Sequence, residues 1–217
     1  MDYTNEDNES IMLREPLPDY GKRKLSIEEY LEFERAAHEK HEYYRGEIFA
    51  MAGAGTEHNI IFSNVFGDIG YRTKGTNCRP FGSDMRMHIP ENTLFTYPDI
   101  AIYCKNISSL WGSTDDNIKN PTVIIEILSI STQRYDRTSK LKFYQDIPSL
   151  KQYIMIDSRK ICVESYTKAN DVNWIFETFK NLEDTLIIKS IDLSLPLKDI
   201  YTDTGLDGKP KLRIAHH

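Results

Sequence analysis

The run Val123-Ile-Ile-Glu-Ile-Leu128 constrains the fold of this chain more than any other segment. A continuous series of apolar, mostly β-branched residues is typical of a strand that is buried on both faces of a sheet. Glu126 interrupts the run, and an unpaired carboxylate buried there would cost several kcal/mol or take up a proton. The run therefore predicts a central strand whose carboxylate faces a metal ion or another cation, unless Glu126 lies at a strand end or pairs with a surface arginine.

Asp99 holds a comparable position in the segment Tyr97-Pro-Asp-Ile-Ala-Ile-Tyr103. Proline is tolerated at the first position of a strand or on an edge strand, so a strand is predicted to begin here with the acid directly before its apolar run. Pro-Asp is also a common turn dipeptide and indicates little by itself. Two acids on neighbouring strands could, however, share one divalent cation, because Mg²⁺ is commonly held by one or two carboxylates.

Length and composition favour one soluble domain with extensions. The 217 residues are 40% hydrophobic, which is enough for a real core. The chain shows no secretion signal and no apolar run of membrane-spanning length, so we expect a cytoplasmic protein without a membrane partner. The three cysteines are odd in number and lack CxxC spacing, and we expect neither a disulfide framework nor structural zinc. The net charge of the chain is −6, and residues 1–19 carry −5 of it. The rest of the chain is nearly neutral, so the overall charge does not exclude a nucleic-acid partner.

Periodicity predicts alternating helices and strands. We expect a capped helix from Ser26 to about Lys40, a hairpin over Glu42 to Met51, and a helix over 57–73 with Thr56 as its cap. Strands are predicted over 78–89, 94–104 and 122–129, a helix over 133–146, and further strands over 152–156, 161–166, 174–179 and 186–188. This order predicts an α/β or α+β sheet with packed helices. The domain is expected over 25–201, between an acidic flexible leader (1–24) and a polar tail (202–217).

Six sequence blocks and His58, in this order, resemble the Uma2 family of restriction-endonuclease-type proteins. The blocks are HEYYRGEIFAMAG, FGSDMRM, YPDIAIYC, VIIEILSISTQRYDRTSKLKFY, IPSLKQYIMID and LSLPLKDIY. The family is a branch of the PD-(D/E)XK nuclease-like superfamily. The resemblance implies an αβββαβ core with a mixed central sheet flanked by helices, and Mg²⁺-dependent hydrolysis of DNA, with Mn²⁺ as a substitute. It also implies that Asp99 and Glu126 bind the metal and act in catalysis.

One position departs from the PD-(D/E)XK pattern. The pattern places a lysine two residues after the glutamate, where this chain has Leu128. The following helix offers Lys140, which shares a face with Asp136 four residues earlier, and the resemblance implies that a lysine of this helix is catalytic. Lys142 is the second choice, because it points about 160° away around the helix. Alternatively, Lys140 is a solvated helix lysine, and the domain is a catalytically inactive module that binds nucleic acid or a protein partner.

Several further residues are candidates for the site. Glu42 holds the place of an early acidic residue in the resembling family, and His58 falls on the apolar stripe of its helix, so both are additional catalytic candidates. Glu42 could instead form a structural salt bridge, and His58 could be a core histidine. Asp84 is a weaker candidate for a second metal ligand. Candidate phosphate contacts are Arg134, Arg137 and Lys142, which could equally form a solvated helix face. Cleavage of both DNA strands would favour a homodimer.

Overall fold

The computed structural model describes residues 23–51, 53–104 and 117–208. The strands are β1 His41–Tyr44, β2 Glu47–Ala50, β3 Cys78–Gly82, β4 Arg86–Ile89, β5 Leu94–Thr96, β6 Ile100–Cys104, β7 Asn117–Ile118, β8 Val123–Leu128, β9 Gln152–Asp157, β10 Val163–Lys168, β11 Trp174–Phe179, β12 Thr185–Ile188 and β13 Leu193–Pro196. The helices are α1 Ile27–Ala36, α2 Thr56–Arg72, α3 Gln133–Tyr135, α4 Leu141–Gln145 and α5 Leu197–Ile200; a π-helical turn, Asp136–Lys140, joins α3 to α4.

A mixed six-stranded sheet forms the centre of the molecule, in the order β11-β10-β9-β8-β6-β3. Strands β8 and β9 are parallel, because the helix between them carries the chain across the sheet, and the other neighbours are antiparallel. In chain order, α2, β3, β6, β8, the α3–α4 helix and β9 form the predicted αβββαβ core. The predicted fold class is therefore confirmed, and every residue of β8 is buried.

A second sheet, in the order β2-β1-β5-β4-β7, contains segments that the sequence assigned to the central strands. The predicted strands 78–89 and 94–104 are each two strands, and in each case one half lies in the second sheet. A turn at residues 83–85 divides the first, and Pro98, which has no backbone N–H to donate, lies at the break in the second. Apolar patterning continues through both breaks, so periodicity alone does not reveal them.

Each face of the central sheet is covered by a different layer. Ile61, Val65 and Ile69 of α2 pack on one face, together with apolar residues of β12, β13 and α5. The opposite face packs against Tyr144 and neighbouring residues of the α3–α4 helix and against the second sheet. Residues of β8 alternate between these two layers, so Ile124, Glu126 and Leu128 face the α3–α4 helix.

Local capping and turn signals correspond closely to the observed boundaries. The Ser26 capping box is present, although α1 ends at Ala36 rather than near Lys40. The predicted hairpin turns at Arg45-Gly46, where both residues have positive φ, as a two-residue hairpin loop requires. Helix α2 begins one residue earlier than predicted, because Gly55 and not Thr56 is its N-cap.

The cysteines are not expected to form a disulfide framework, but the structure contains one disulfide. Cys78 and Cys104 form a disulfide, and Cys162 is free and buried. The two bonded cysteines are 26 residues apart, but they are direct partners in the antiparallel β3–β6 pair. Local Cys spacing cannot detect such a pair, because the register of two strands brings the residues together.

The ends of the chain are only partly described. Residues 1–22 of the predicted leader and residues 209–217 of the predicted tail lie outside the described residues. The first part of the predicted tail packs on the domain: Thr204 is buried, and Asn64 of α2 donates to the Thr202 carbonyl. Within the described ranges, no helix has the length and apolar character needed to cross a membrane.

Candidate active site

The β6–β8 pairing brings Asp99 and Glu126 together. Ile100 pairs with Ile125, so continuing this antiparallel register by one residue places Asp99 opposite Glu126. The Asp99 backbone N–H donates to Glu126 Oε2 at 3.2 Å, and the Ile127 N–H donates to Asp99 Oδ2 at 2.7 Å. Each acid is thus held by the backbone of the neighbouring strand, and both side chains line one cleft.

Lys140 is buried in the same place and is not a solvated helix lysine. Its side chain is 6% exposed, and its ammonium nitrogen lies 2.8 Å from Glu126 Oε1, 3.3 Å from Glu42 Oε1 and 3.6 Å from Asp136 Oδ1. Lys142, the second choice, is exposed. Leu128, where the PD-(D/E)XK pattern has its lysine, is fully buried in the apolar layer. The ammonium therefore reaches the acids from the helix that covers the sheet.

The second sheet contributes Glu42 to this group. Glu42 lies on β1 and is 3% exposed, and Thr96 on the paired strand β5 donates its hydroxyl to Glu42 Oε1 at 2.5 Å. The same oxygen contacts Lys140. Glu42 and Glu126 therefore hold the ammonium from two different sheets, which restricts its position far more than one ion pair would.

His58 contacts Asp99 from the first turn of α2. Its Nε2 lies 3.1 Å from Asp99 Oδ2, and its side chain is 11% exposed. The other ring nitrogen, Nδ1, is buried without a hydrogen-bond partner in the described part of the chain. His58 thus lies at the site, as the apolar stripe of α2 indicated, and it orients the Asp99 carboxylate.

Burial and crowding of acids determine the electrostatics. Burial raises the pKa of Glu126 to about 8; Lys140 opposes this increase, and the charges of Asp99 and Asp136 add to it. Burial likewise raises the pKa of Asp136. Burial by itself would lower the pKa of Lys140, but the surrounding acids, led by Glu126, hold it well above its usual range. The lysine is therefore charged, and a site in which the surrounding acids ionise would carry net negative charge and favour a further cation.

A small cleft opens onto these residues. It has a volume of about 60 Å³ and is lined by Asp99, Glu126, Asp136, Lys140 and His58, among others. A single water needs at least about 10–15 Å³ of such volume, so the cleft has room for water beside the acids. In the described ranges, no three His, Cys, Asp or Glu side chains form a ready metal cage. The carboxylate oxygens of Asp99 and Glu126 that line the cleft are donors of the kind that a hard cation takes.

The other sequence candidates lie away from the cleft. Arg137 pairs with Glu164 at 2.7 Å and with the buried Asp157 at 3.6 Å, so its charge is compensated within the fold. Arg134 is exposed on the same helix. Asp84 lies in the turn between β3 and β4, not within a strand, and pairs with Lys40 at 2.6 Å. Asp84 therefore forms a local ion pair and is not among the residues that line the cleft.

Sequence reasoning missed two polar contacts of the site. Thr96 supports Glu42, and Tyr144 donates its hydroxyl to Glu126 Oε1 at 2.6 Å. Tyr144 follows Lys140 by four residues and therefore shares its helix face, a signal that could have identified it. Nothing comparable marks Thr96, because its partner is 54 residues away.

The fold and the paired acids define the restriction-endonuclease-like class: a mixed αβββαβ sheet with one acid before a strand and a second acid inside its neighbour. The sequence model of the Uma2 family, described as "Putative restriction endonuclease", matches residues 27–198. The chain belongs to this family.

Similar proteins agree with this assignment. The chain is 33% identical over 178 residues to the uncharacterized protein slr1290 of Synechocystis sp., covering 82% of this chain and 92% of the relative. It is 34% identical over 151 residues to sll1609 of the same organism, covering 70% and 85%. The crystal structure of a putative nuclease belonging to DUF820 from Anabaena variabilis superposes with a TM-score of 0.67 and 20% identity, covering 82% of this chain and 98% of that one. The latter likeness concerns the fold.

Proposed function

We propose that this protein is a metal-dependent endonuclease that hydrolyses DNA phosphodiester bonds, with Asp99 and Glu126 as metal ligands and Lys140 as the catalytic cation. One observation carries the proposal: a buried, charged lysine lies 2.8 Å from Glu126 in the cleft that Asp99 also lines. Family membership supports nuclease chemistry in general. The geometry supports a site in which a helix lysine replaces the strand lysine of the PD-(D/E)XK pattern.

The donor set favours Mg²⁺, with Mn²⁺ as a substitute, because both ions take carboxylate and water oxygens. When bound by Asp99 and Glu126, the ion would neutralise the non-bridging phosphate oxygens and lower the pKa of the attacking water. Its ligands are fixed before it arrives: Asp99 is held by Ile127 and His58, and Glu126 by Tyr144 and Lys140. Such preorganisation lowers the cost of assembling the site.

The residues of the chain would then divide the work. Lys140 would direct its positive charge toward the phosphoryl group, where negative charge accumulates in the transition state. Glu42 would hold Lys140 from the second sheet, and His58 would keep the Asp99 carboxylate oriented. No covalent intermediate is needed in this scheme.

Purified protein is expected to nick or linearise supercoiled plasmid DNA in Mg²⁺ or Mn²⁺ and to leave it intact in excess EDTA, because the carboxylates alone cannot neutralise the phosphate. Gel electrophoresis of the plasmid over time measures the conversion. An RNA of similar length, run in parallel, tests the nucleic-acid preference. If the ions promote no cleavage of either substrate while the protein still binds DNA, the domain is a binding module and not an enzyme.

Mg²⁺ binding is expected to release protons below about pH 8, because burial raises the pKa of Glu126 to about 8 and the fraction of this carboxyl that is protonated must ionise to bind metal. The number of protons follows from calorimetric titrations in two buffers of different ionisation enthalpy. Release should decline as the pH rises past 8. A Glu126→Gln variant, which cannot ionise, should release almost none; equal release from this variant would contradict the assignment.

The two exposed cations of the α3–α4 region, Arg134 and Lys142, should behave differently from the partly buried Arg137. Charge reversal at Arg134 and Lys142 is expected to weaken DNA binding and to reduce the slope of log K against log[salt] by about two, since each phosphate contact contributes about one. Arg137→Ala should instead lower the free energy of unfolding by about 1–3 kcal/mol, because it removes the cation of Glu164 and one of the two cations beside the buried Asp157, the other being Arg159. Fluorescence anisotropy and urea unfolding measure the two effects. Unchanged DNA binding after the double reversal would make this helix a solvated face only.

A further inference from the structure

A second cavity lies at the end of the central sheet opposite the acidic cleft. It is bounded by Thr122 before β8, by Lys151 and Gln152 at the start of β9, and by Lys168 at the end of β10. Glu126 lies further along β8, toward the other end of the sheet. The cavity has a volume of about 620 Å³, which is about ten times that of the acidic cleft and within the ~300–1,000 Å³ range of small-molecule sites.

The charge of this cavity is opposite to that of the cleft. Three lysines line it, from three separate parts of the chain: Lys151, Lys168 and Lys189. Asp and Glu are absent from its described lining residues. Hydroxyl groups of Thr122 and Ser149 lie in the same wall. In a chain of net charge −6, three ammonium groups at one concavity repel one another and favour an anion between them.

The wall that presents these lysines is held firmly. The Lys151 N–H donates to the Thr122 carbonyl at 2.8 Å, and the Lys168 N–H donates to the Lys151 carbonyl at 2.8 Å, so the two lysines are tied across three strands. Gln152 is buried and donates to the Ile187 carbonyl, which fixes the segment that leads to Lys189. The arrangement exists before any ligand binds, which reduces the entropic cost of binding.

Lys168 is the least exposed of the three lysines. Its side chain is 9% exposed, and its ammonium donates to the Pro148 carbonyl at 3.4 Å and pairs with the exposed Asp171 at 3.6 Å; neither partner is among the described residues that line the cavity. A lysine can donate three hydrogen bonds, so these two contacts leave room for a further acceptor. An oxyanion in the cavity would supply it.

We propose that this lysine cavity binds the phosphate groups of a nucleotide-size organic phosphate, at a site separate from the acidic cleft. Lysine is a common phosphate ligand, and three ammonium groups match the charge of a di- or triphosphate. The volume exceeds what a single inorganic phosphate needs and accommodates an attached organic group. The inference stands on the cavity alone and does not depend on the proposed nuclease activity.

Calorimetric titration of the full chain with ATP, pyrophosphate and adenosine in EDTA tests the site, since EDTA prevents metal-mediated binding at Asp99 and Glu126. ATP and pyrophosphate are expected to bind and adenosine is not. The variants Lys168→Met and Lys151→Met/Lys189→Met should each weaken ATP binding at least tenfold. Lys198→Met, an exposed lysine on α5 outside the cavity, is the matched control and should bind ATP normally.

Three outcomes would overturn the proposal. The first is no detectable binding of ATP or pyrophosphate at millimolar concentration. The second is ATP binding that all of the lysine variants retain. The third has two parts: a short DNA duplex fully displaces ATP, and the lysine variants lose affinity for this duplex as much as for ATP. The cavity would then contact nucleic-acid backbone. Since Lys151 and Lys189 are exposed, their double variant is expected to fold, which circular dichroism verifies, and the test remains valid even if Lys168→Met unfolds.

Discussion

Replacing Lys140 with methionine is expected to reduce Mg²⁺-dependent cleavage by about 10²–10³-fold, the usual loss when one preorganised charge or donor is removed from a transition state. Methionine keeps most of the side-chain volume but cannot interact electrostatically with Glu126 or the phosphate. Metal-free DNA binding should be nearly unchanged, because the Lys140 side chain is 6% exposed and its charge contributes little to the surface field. Single-turnover cleavage rates at saturating Mg²⁺ measure the loss, and anisotropy measures DNA binding.

Lys198→Met is the control, because it removes an exposed lysine far from the cleft and should retain the wild-type cleavage rate. Adding Leu128→Lys to the Lys140→Met variant tests the geometry. Residue 128 shares the face of β8 with Glu126, so it returns the ammonium to the usual strand position, and partial recovery of cleavage is expected. If Lys140→Met by itself cleaves DNA at the wild-type rate, Lys140 is structural and the proposed mechanism is wrong.

The Asp99→Asn variant is expected to lose metal-dependent cleavage almost completely and to bind Mg²⁺ at least about tenfold more weakly, because a neutral amide is a poor ligand for a hard cation. The fold should survive the change. The amide oxygen can still accept the hydrogen bond from the Ile127 N–H, and Asp99 is only partly buried. Calorimetry in the absence of DNA measures metal affinity, and plasmid conversion measures activity.

Asp199→Asn is a matched control, since Asp199 is exposed on α5 and should affect neither measurement. The free energy of unfolding must be compared as well, because a loss of activity has meaning only in a folded protein. An Asp99→Asn protein that is fully folded and cleaves DNA like the wild type would remove Asp99 from the metal site. Asp136, which also lines the cleft, would then be the next acid to test.

The sequence by itself determined the elements whose signals lie within a few residues. The capping box at Ser26, the Arg45-Gly46 hairpin and the buried β8 strand each depend on neighbours along the chain, so their patterns were sufficient. The resemblance to the Uma2 family supplied the αβββαβ core, the pairing of Asp99 with Glu126 and the choice of Lys140. The core is observed, Asp99 lies against Glu126, and Lys140 lies 2.8 Å from Glu126, whereas the metal-binding and catalytic roles of the three residues stay predictions.

Only the tertiary structure decided where distant segments meet. The apolar stretches 78–89 and 94–104 are each divided between the two sheets. A turn redirects the chain in the first stretch and a proline in the second, and neither interrupts the apolar pattern. Strand register joined Cys78 to Cys104. The packing of the second sheet against the α3–α4 helix brought Glu42, which Thr96 supports, into contact with Lys140, 98 residues further along the chain. Pattern and composition report the preferences of single elements, whereas these contacts depend on strand register and on how layers pack. The burial that gives Lys140 its three acidic neighbours is a property of the assembled layers.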